Sequence, residues 1–237
     1  MTKAVIFFCD YTGIAAQPWL ESGYDVYLFD TQYGHGITRT KQNNGAYVNR
    51  CGYPIGSRDF FNYFKIIIFN ENIYFAGAFP PCTDLAVSGA AHFAKKKKAN
   101  KDFQHEAMRF FSLCENLCKM TGAPYFVENP VSVISTMYRK PDHIFHPYFY
   151  GRYLPENDRH PMYPDYIEPR DAYPKKTCLW TGEGFAMPEC KHIDIKSGYS
   201  KQHKSLGGKS LKTKNIRSAT PRGFSRAVYE ANKPYII

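Results

Sequence analysis

The sequence holds no long apolar run. Residues 4–9 form an apolar stretch of six and residues 66–69 one of four, against the roughly 20 that a membrane-spanning helix needs. The stretch at 4–9 is also shorter than the core of a secretory leader and stops at Asp10, so a cytosolic protein is expected. Metal-ligand spacings are missing too. Cys114 and Cys118 lie four apart and Cys190 lies two before His192; neither pairing suits zinc, and no metal is expected. Seven cysteines, an odd number without a repeating frame, exclude a disulfide scaffold and point to free thiols in a reducing compartment. The full G-x-G-x-x-G is absent, which leaves a dinucleotide unsupported. There is no internal repeat. Acids are scarce late in the chain: residues 191–217 carry seven lysines and one arginine against Asp194 alone.

What is present suits one α/β domain with a sizeable core and a small appendage, since the chain has 237 residues and 43% hydrophobic content. The net charge of +10 favours a polyanionic partner; a merely soluble basic surface is the other reading. Two stretches share one form. Residues 73–78 read as a buried strand that breaks at Pro80 and Pro81 and then presents Cys82, because proline cannot donate to a sheet ladder. Pro124-Tyr125-Phe126-Val127 reads as a second strand, ending in Glu128-Asn129-Pro130. Parallel sheets gather ligands beyond the carboxyl ends of their strands.

The remaining elements fit around these two. Residues 4–9 read as a central parallel strand, Asp10-Tyr11-Thr12-Gly13 as a turn, residues 14–22 as a short helix and residues 24–30 as the next strand, ending in Asp30. An acid there, about 20 residues past the first turn, suits a ribose contact, although such acids also cap helices. Residues 31–58 read as loop with at most a weak strand, and residues 59–69 as helix or strand. Residues 84–94 read as a loop over the site. The lysines at 95–98 suit a solvated loop or a phosphate contact about equally. Apolar residues recur at helical spacing from Phe103 to Cys118, and Gly122 ends that helix. The helix joins two consecutive parallel strands, and the right-handed crossover brings Cys82 and Glu128 to one sheet edge. Residues 145–174 are rich in tyrosine and proline, 175–180 resume a strand, and 225–232 form a short helix. The basic segment 191–217 reads as exposed and flexible, with phosphate contact as its task.

A thiol beside a carboxyl has specific uses. No histidine stands in a hydrolase-like relation to Cys82. Attack of a thiol on C6 of a pyrimidine needs charge relief on the ring, and a protonated carboxyl at N3 supplies it. C5 then becomes nucleophilic and can take an alkyl group from a sulfonium donor, after which β-elimination frees the thiol. Burial of Glu128 would raise its pKa as that role needs. A structural cysteine and a capping glutamate are the plainer reading of the same residues.

These stretches resemble the DNA cytosine-5 methyltransferases. Phe79-Pro80-Pro81-Cys82 is similar to that family's Pro-Cys motif and Val127-Glu128-Asn129-Pro130 to its Glu-Asn motif. Phe79 through Gly89, Glu128 through Ser135 and Lys175 through Trp180 look like compact members found in bacteriophages. The resemblance implies a Rossmann-like AdoMet-dependent methyltransferase fold (AdoMet, S-adenosylmethionine): a mostly parallel sheet with helices on both faces. It also implies duplex DNA as substrate, with a flipped cytosine, in the host cytoplasm if phage-encoded. Cys82 would be the nucleophile, Glu128 the partner of N3, and Asn129 the holder of local geometry. Asp10, Tyr11, Thr12, Gly13, Asp30, Pro80 and Ser225 would meet AdoMet. Thr83, Ser88, Lys175, Lys176, Lys201, Lys204, Lys209, Lys212 and Arg217 would meet the substrate.

The chain departs from the family pattern in several places. Cys9 stands where the family has phenylalanine, Tyr11 near its first glycine, and Lys175 and Lys176 in the region of its Gln-x-Arg-x-Arg motif. The family's acid at the adenine amino group has no clear counterpart, Asp59 being a guess at it. The resemblance divides the chain into a catalytic part at 1–180, a reduced recognition segment at 181–215 and a returning C-terminal helix at 216–237. The short recognition segment leaves a free pyrimidine nucleotide open as substrate. A different C5 substituent from a variant sulfonium donor and an inactive DNA-binding protein are the further alternatives.

Overall fold

The first strand, β1 (Lys3–Phe8), is buried from its second residue onward, as expected of a central strand covered on both faces. Its side chains divide by the two-residue period of a strand. Ala4, Ile6 and Phe8 enter one core, and Val5 and Phe7 enter the other. The computed structural model describes residues 1–196, 198–207 and 210–234.

The chain continues through α1 (Gln17–Glu21), β2 (Asp25–Phe29), β3 (Ile37–Lys41), β4 (Tyr47–Cys51), α2 (Arg58–Asn70) and β5 (Asn72–Ala78). Then come α3 (Phe93–Ala99), α4 (Phe103–Met120), β6 (Tyr125–Pro130), α5 (Ile134–Met137), β7 (His143–Phe145) and β8 (Thr177–Gly182). The short α6 (Lys201–Ser205), α7 (Leu211–Ser218) and α8 (Arg222–Asn232) close it. The strands form one mixed sheet in the order β3-β4-β2-β1-β5-β6-β8-β7. Five neighbours, β4, β2, β1, β5 and β6, run parallel, and β3 and β8 run against them. Helices cover both faces. On one, α2 and α4 bring Phe60, Phe64, Phe111, Cys114 and Leu117; on the other, α1 and α8 bring Trp19, Phe224, Ala227 and Val228. The expected α/β class with a mostly parallel sheet is what the chain forms. Among the described residues, no helix is long and apolar enough to cross a membrane.

Several local readings need correction. Residues 31–58 are loop only in part: they supply two strands, β3 and β4, and β4 pairs with β2 inside the sheet. β3 is exposed along its length, so it lacks the buried face that makes a strand visible in sequence. Residues 59–69 fall within α2, whose first turn is capped by Ser57, with its Oγ accepting from the Phe60 N–H at 3.2 Å. The short helix expected at 14–22 covers only Gln17–Glu21. The lysine run lies on α3, and a 3-10 turn, Val87–His92, replaces the expected loop before it. Lys96 Nζ reaches the Asp84 carboxylate at 2.6 Å and the Thr83 carbonyl at 2.8 Å. The segment 191–217 includes α6 and α7, and it buries Gln202, Thr213 and Ile216.

The register prepares the site. Phe29, Phe8, Ala78 and Val127 lie abreast across β2, β1, β5 and β6. The residues just beyond them, Asp30, Cys9, Phe79 and Glu128, therefore begin a single edge. That close spacing leaves no room at Gly77, where an added Cβ would lie 2.7 Å from the Phe7 ring and 3.3 Å from Phe126. Gly77→Ala should overpack the sheet and cost about 1–3 kcal/mol. The expected result is a lower urea midpoint at unchanged m-value; an unchanged midpoint would show that Phe7 can yield.

Candidate active site

Pro80 and Pro81 carry no N–H, so the chain leaves β5 without continuing the ladder. The loop is held instead from β6. Asn129 is 1% exposed, and its Nδ2 donates to the Pro80 carbonyl at 2.9 Å. The two exits are joined again further on. Val87 N–H donates to the Val131 carbonyl and Val133 N–H to the Leu85 carbonyl, each at 3.0 Å, around an Ala86–Ser132 bridge. Cys82 begins the tight turn between these ties: its carbonyl accepts from the N–H groups of Leu85 at 3.0 Å and Ala86 at 2.8 Å.

Cys82 and Glu128 are both half-buried and share one electrostatic environment. Burial and the Glu128 carboxylate push the Cys82 thiol up, while the Lys175 ammonium draws it down. Burial likewise raises the Glu128 carboxyl, and Lys175 opposes it. The sheet explains why a residue 47 positions on joins the pair. β8 runs against β6, with Thr177 opposite Pro130, so Lys175 lies just beyond the carboxyl end of β6. Its Nζ donates to the Arg217 carbonyl at 3.0 Å, which brings the end of α7 to the same edge.

The second half of the edge is the loop after β1. Asp10 is buried, and its Oδ1 accepts from the Gly13 N–H at 2.9 Å and the Thr12 hydroxyl at 3.0 Å. Gly13 takes φ 67, a left-handed conformation that glycine adopts without strain. Burial raises the Asp10 carboxyl to about 6 against the pull of those donors, and its Oδ2 is buried without a partner. Asp30, half-buried at the tip of β2, accepts from the Gln32 N–H at 2.9 Å. Gln32 Oε1 in turn accepts from Asn215 of α7 at 2.9 Å. Tyr33 has no signal in the sequence, yet its hydroxyl reaches the carbonyls of Asp10 at 2.9 Å and Tyr11 at 2.8 Å. Its ring lies 5.5 Å from that of the exposed Tyr11. Cys9 is turned into the core beside Cys114.

Other expected site residues lie as follows. Pro80 is buried in the loop before Cys82, Thr83 is exposed beside it, and Ser88 is exposed in the following 3-10 turn. Ser225 is buried in α8, and its hydroxyl donates to the Pro221 carbonyl at 3.1 Å. Lys176 and Arg217 are exposed. Lys212 is exposed over the Tyr166 ring at 5.8 Å. Lys201 and Lys204 line a separate cleft. Lys209 lies outside the described residues. Asp59 is exposed, 4.0 Å from His35. Among the described residues, no group of three or more His, Cys, Asp or Glu side chains is placed to hold a metal.

The Asp10 carboxyl makes a pH dependence of stability testable. Its folded value of about 6 lies above the ordinary 3.8, so the folded state disfavours the ionised form. Its contribution is fully present below about pH 4 and is lost as pH rises through about 6. Asp10→Asn keeps an oxygen for Gly13 and removes the ionisation. The urea midpoint of the variant should gain on the wild type across that window, by up to about 3 kcal/mol. Parallel profiles for the two proteins would show that Asp10 does not titrate there.

Compared with known proteins, the chain matches no family model and no curated protein sequence.

Proposed function

We propose that the protein transfers a methyl group from AdoMet to C5 of cytosine in DNA, through a covalent bond between the Cys82 sulfur and C6 of the base. One observation carries this reading. A thiol and a carboxyl stand at the carboxyl ends of adjacent parallel strands β5 and β6, the Glu128 carboxylate acts on the Cys82 thiol, and the Lys175 ammonium acts on both. A structural cysteine with a capping glutamate does not call for that convergence.

The residues present suit AdoMet. The loop from Asp10 to Gly13 closes around one Asp10 oxygen and leaves the other unpartnered. Asp30 stands at the neighbouring strand tip, where an acid meets ribose hydroxyls. A Cβ at Gly13 would lie 3.0 Å from Leu28, so the turn packs tightly on the sheet. Tyr11 and Asp30 would hold the nucleoside part. The Ser225 hydroxyl, engaged within its helix, contributes through packing. When bound, AdoMet supplies an electrophilic methyl group on a sulfonium.

The chain's own groups would work as follows. The Cys82 thiolate forms the S–C6 bond. The Glu128 carboxyl, whose protonated form burial favours, donates to N3 and takes up the charge that this attack pushes into the ring. C5 becomes nucleophilic and is alkylated. Loss of the C5 proton to a base then breaks the S–C6 bond, expels the Cys82 thiolate and lets the shared N3 proton return to Glu128. Asn129 positions Cys82 by holding the Pro80 carbonyl.

Cys82→Ala should abolish transfer and leave AdoMet affinity within about twofold, because in this reading the sulfur bonds to the base and not to the cofactor. DNA containing 5-fluorocytosine should trap the wild-type protein covalently, since fluorine cannot leave as a proton does. The measurement is mass spectrometry of nucleosides from treated DNA, beside dCMP treated alike. Residual turnover in Cys82→Ala would exclude the covalent route. A product from dCMP alone would move the substrate from polymer to nucleotide.

A further inference from the structure

Away from Cys82 and Glu128, a cleft of ≈ 1380 Å³ opens between the tyrosine-rich segment and the basic segment that follows β8. Arg152, Arg170, Lys196, Lys201 and Lys204 line it, against Glu156, Glu168 and Asp194. Glu168 is partly engaged already, accepting from the Lys201 backbone N–H at 2.6 Å.

Arg170 is the built part of this wall. It and Asp171 take φ 56 and 53, left-handed conformations that such residues adopt only where their surroundings impose them. Those surroundings are in place. Asp158 accepts from the Arg170 N–H at 3.0 Å, and the buried Asp171 accepts from the Gly223 N–H at 2.8 Å. Arg222 pairs with Asp158. Arg170 Nε donates to the Gly151 carbonyl at 3.2 Å, which fixes the guanidinium at the cleft. At the rim, the 62% exposed Tyr199 stacks on His203, with centroids 5.1 Å apart and planes at 20°.

We propose that this cleft binds one strand of nucleic acid, its phosphates against Arg152, Arg170, Lys196 and Lys201 and an unpaired base against Tyr199. Cations tracking a backbone beside a solvent-exposed aromatic ring are what an unpaired strand recognises; bases in a duplex are stacked on one another and cannot use the ring. The fate of the bound base rests on the C5-transfer reading; the binding itself does not.

Fluorescence anisotropy with a labelled single-stranded oligonucleotide, and with a duplex of the same sequence, tests this. The strand should bind roughly tenfold or more tightly than the duplex. Arg170→Gln with Lys201→Gln should weaken strand binding and flatten log K against log salt by about 0.7 per lost contact. Tyr199→Ala should weaken it roughly tenfold while leaving that slope unchanged. Thermal melting checks that each variant is folded, and Lys201→Gln alone, on the exposed face of α6, guards against a misfolded Arg170 variant. Equal affinity for duplex and strand, or folded variants that bind like the wild type, would overturn the proposal. Nucleoside analysis separates the two readings. No C5 product on any substrate, with strand binding lost in the variants, would sink the chemistry and support the cleft. C5 product with unaltered variant binding would do the reverse.

Discussion

The constraint on which the rest depends is a register in which β2, β1 and β5 end level with Val127 of β6. Because Phe29, Phe8, Ala78 and Val127 are in register, the polar residues that follow them emerge together rather than staggered by a pleat. Register alone does not hold the exits, since the Pro80-Pro81 step has no N–H to offer the sheet. Asn129 supplies what the backbone lacks. A hydrogen bond of this kind contributes about 1 kcal/mol net, but leaving a buried carbonyl unpaired costs about 1–3 kcal/mol. The Pro80 carbonyl, met by Asn129 at 2.9 Å, is therefore held more firmly than the small net gain suggests.

Burial sets the proton inventory of the edge, and it sets up a contradiction that the geometry resolves. The proposed chemistry wants Glu128 protonated and Cys82 ionised. Burial favours the first and opposes the second. Yet part of what raises the thiol is the negative charge on Glu128 itself. A proton on Glu128 removes that repulsion and leaves Lys175 as the neighbouring charge that acts on Cys82. The one-proton state with the proton on Glu128 is the state the proposed chemistry needs. Lys175 serves the thiolate best in that state.

How much of this was legible in the sequence follows from where the signals come from. Residues 4–9, 24–30 and 73–78 were visible as strands because each is a short apolar run between turn residues, and all three lie in the middle of the sheet. The long α4 was visible from its apolar spacing. Cys82 and Glu128 were found because each follows such a strand and precedes or follows proline. β4 was missed because Asn49 and Arg50 break its apolar pattern; Asn49 is nonetheless buried and donates to the Val26 carbonyl at 3.3 Å. β3 has no buried face to leave a trace. Tyr33 and Arg170 matter through backbone carbonyls and imposed φ values, and neither is written in residue type. The helical character of the lysine run went unread because charge repetition masks it; Lys96 is held by Asp84 and the Thr83 carbonyl, contacts made across the loop that carries Cys82.

The placement of charge narrows the choice between polymer and monomer. Residues 191–217 hold eight cations and one acid, an excess of seven (8 − 1), against +10 for the whole chain. Solubility alone does not explain such concentration, because a dispersed charge of the same size would serve it equally well. Repulsion among these side chains opposes docking of the segment. It docks all the same, through Gln202, Thr213 and Ile216 and through the hydrogen bond from Lys175 to the Arg217 carbonyl. Docking a segment this rich in cations, against their mutual repulsion, suits the proposed ligand with many phosphates in a row. One phosphate would relieve little of that repulsion, whereas a strand that displaces counterions along its length gains from every cation it meets.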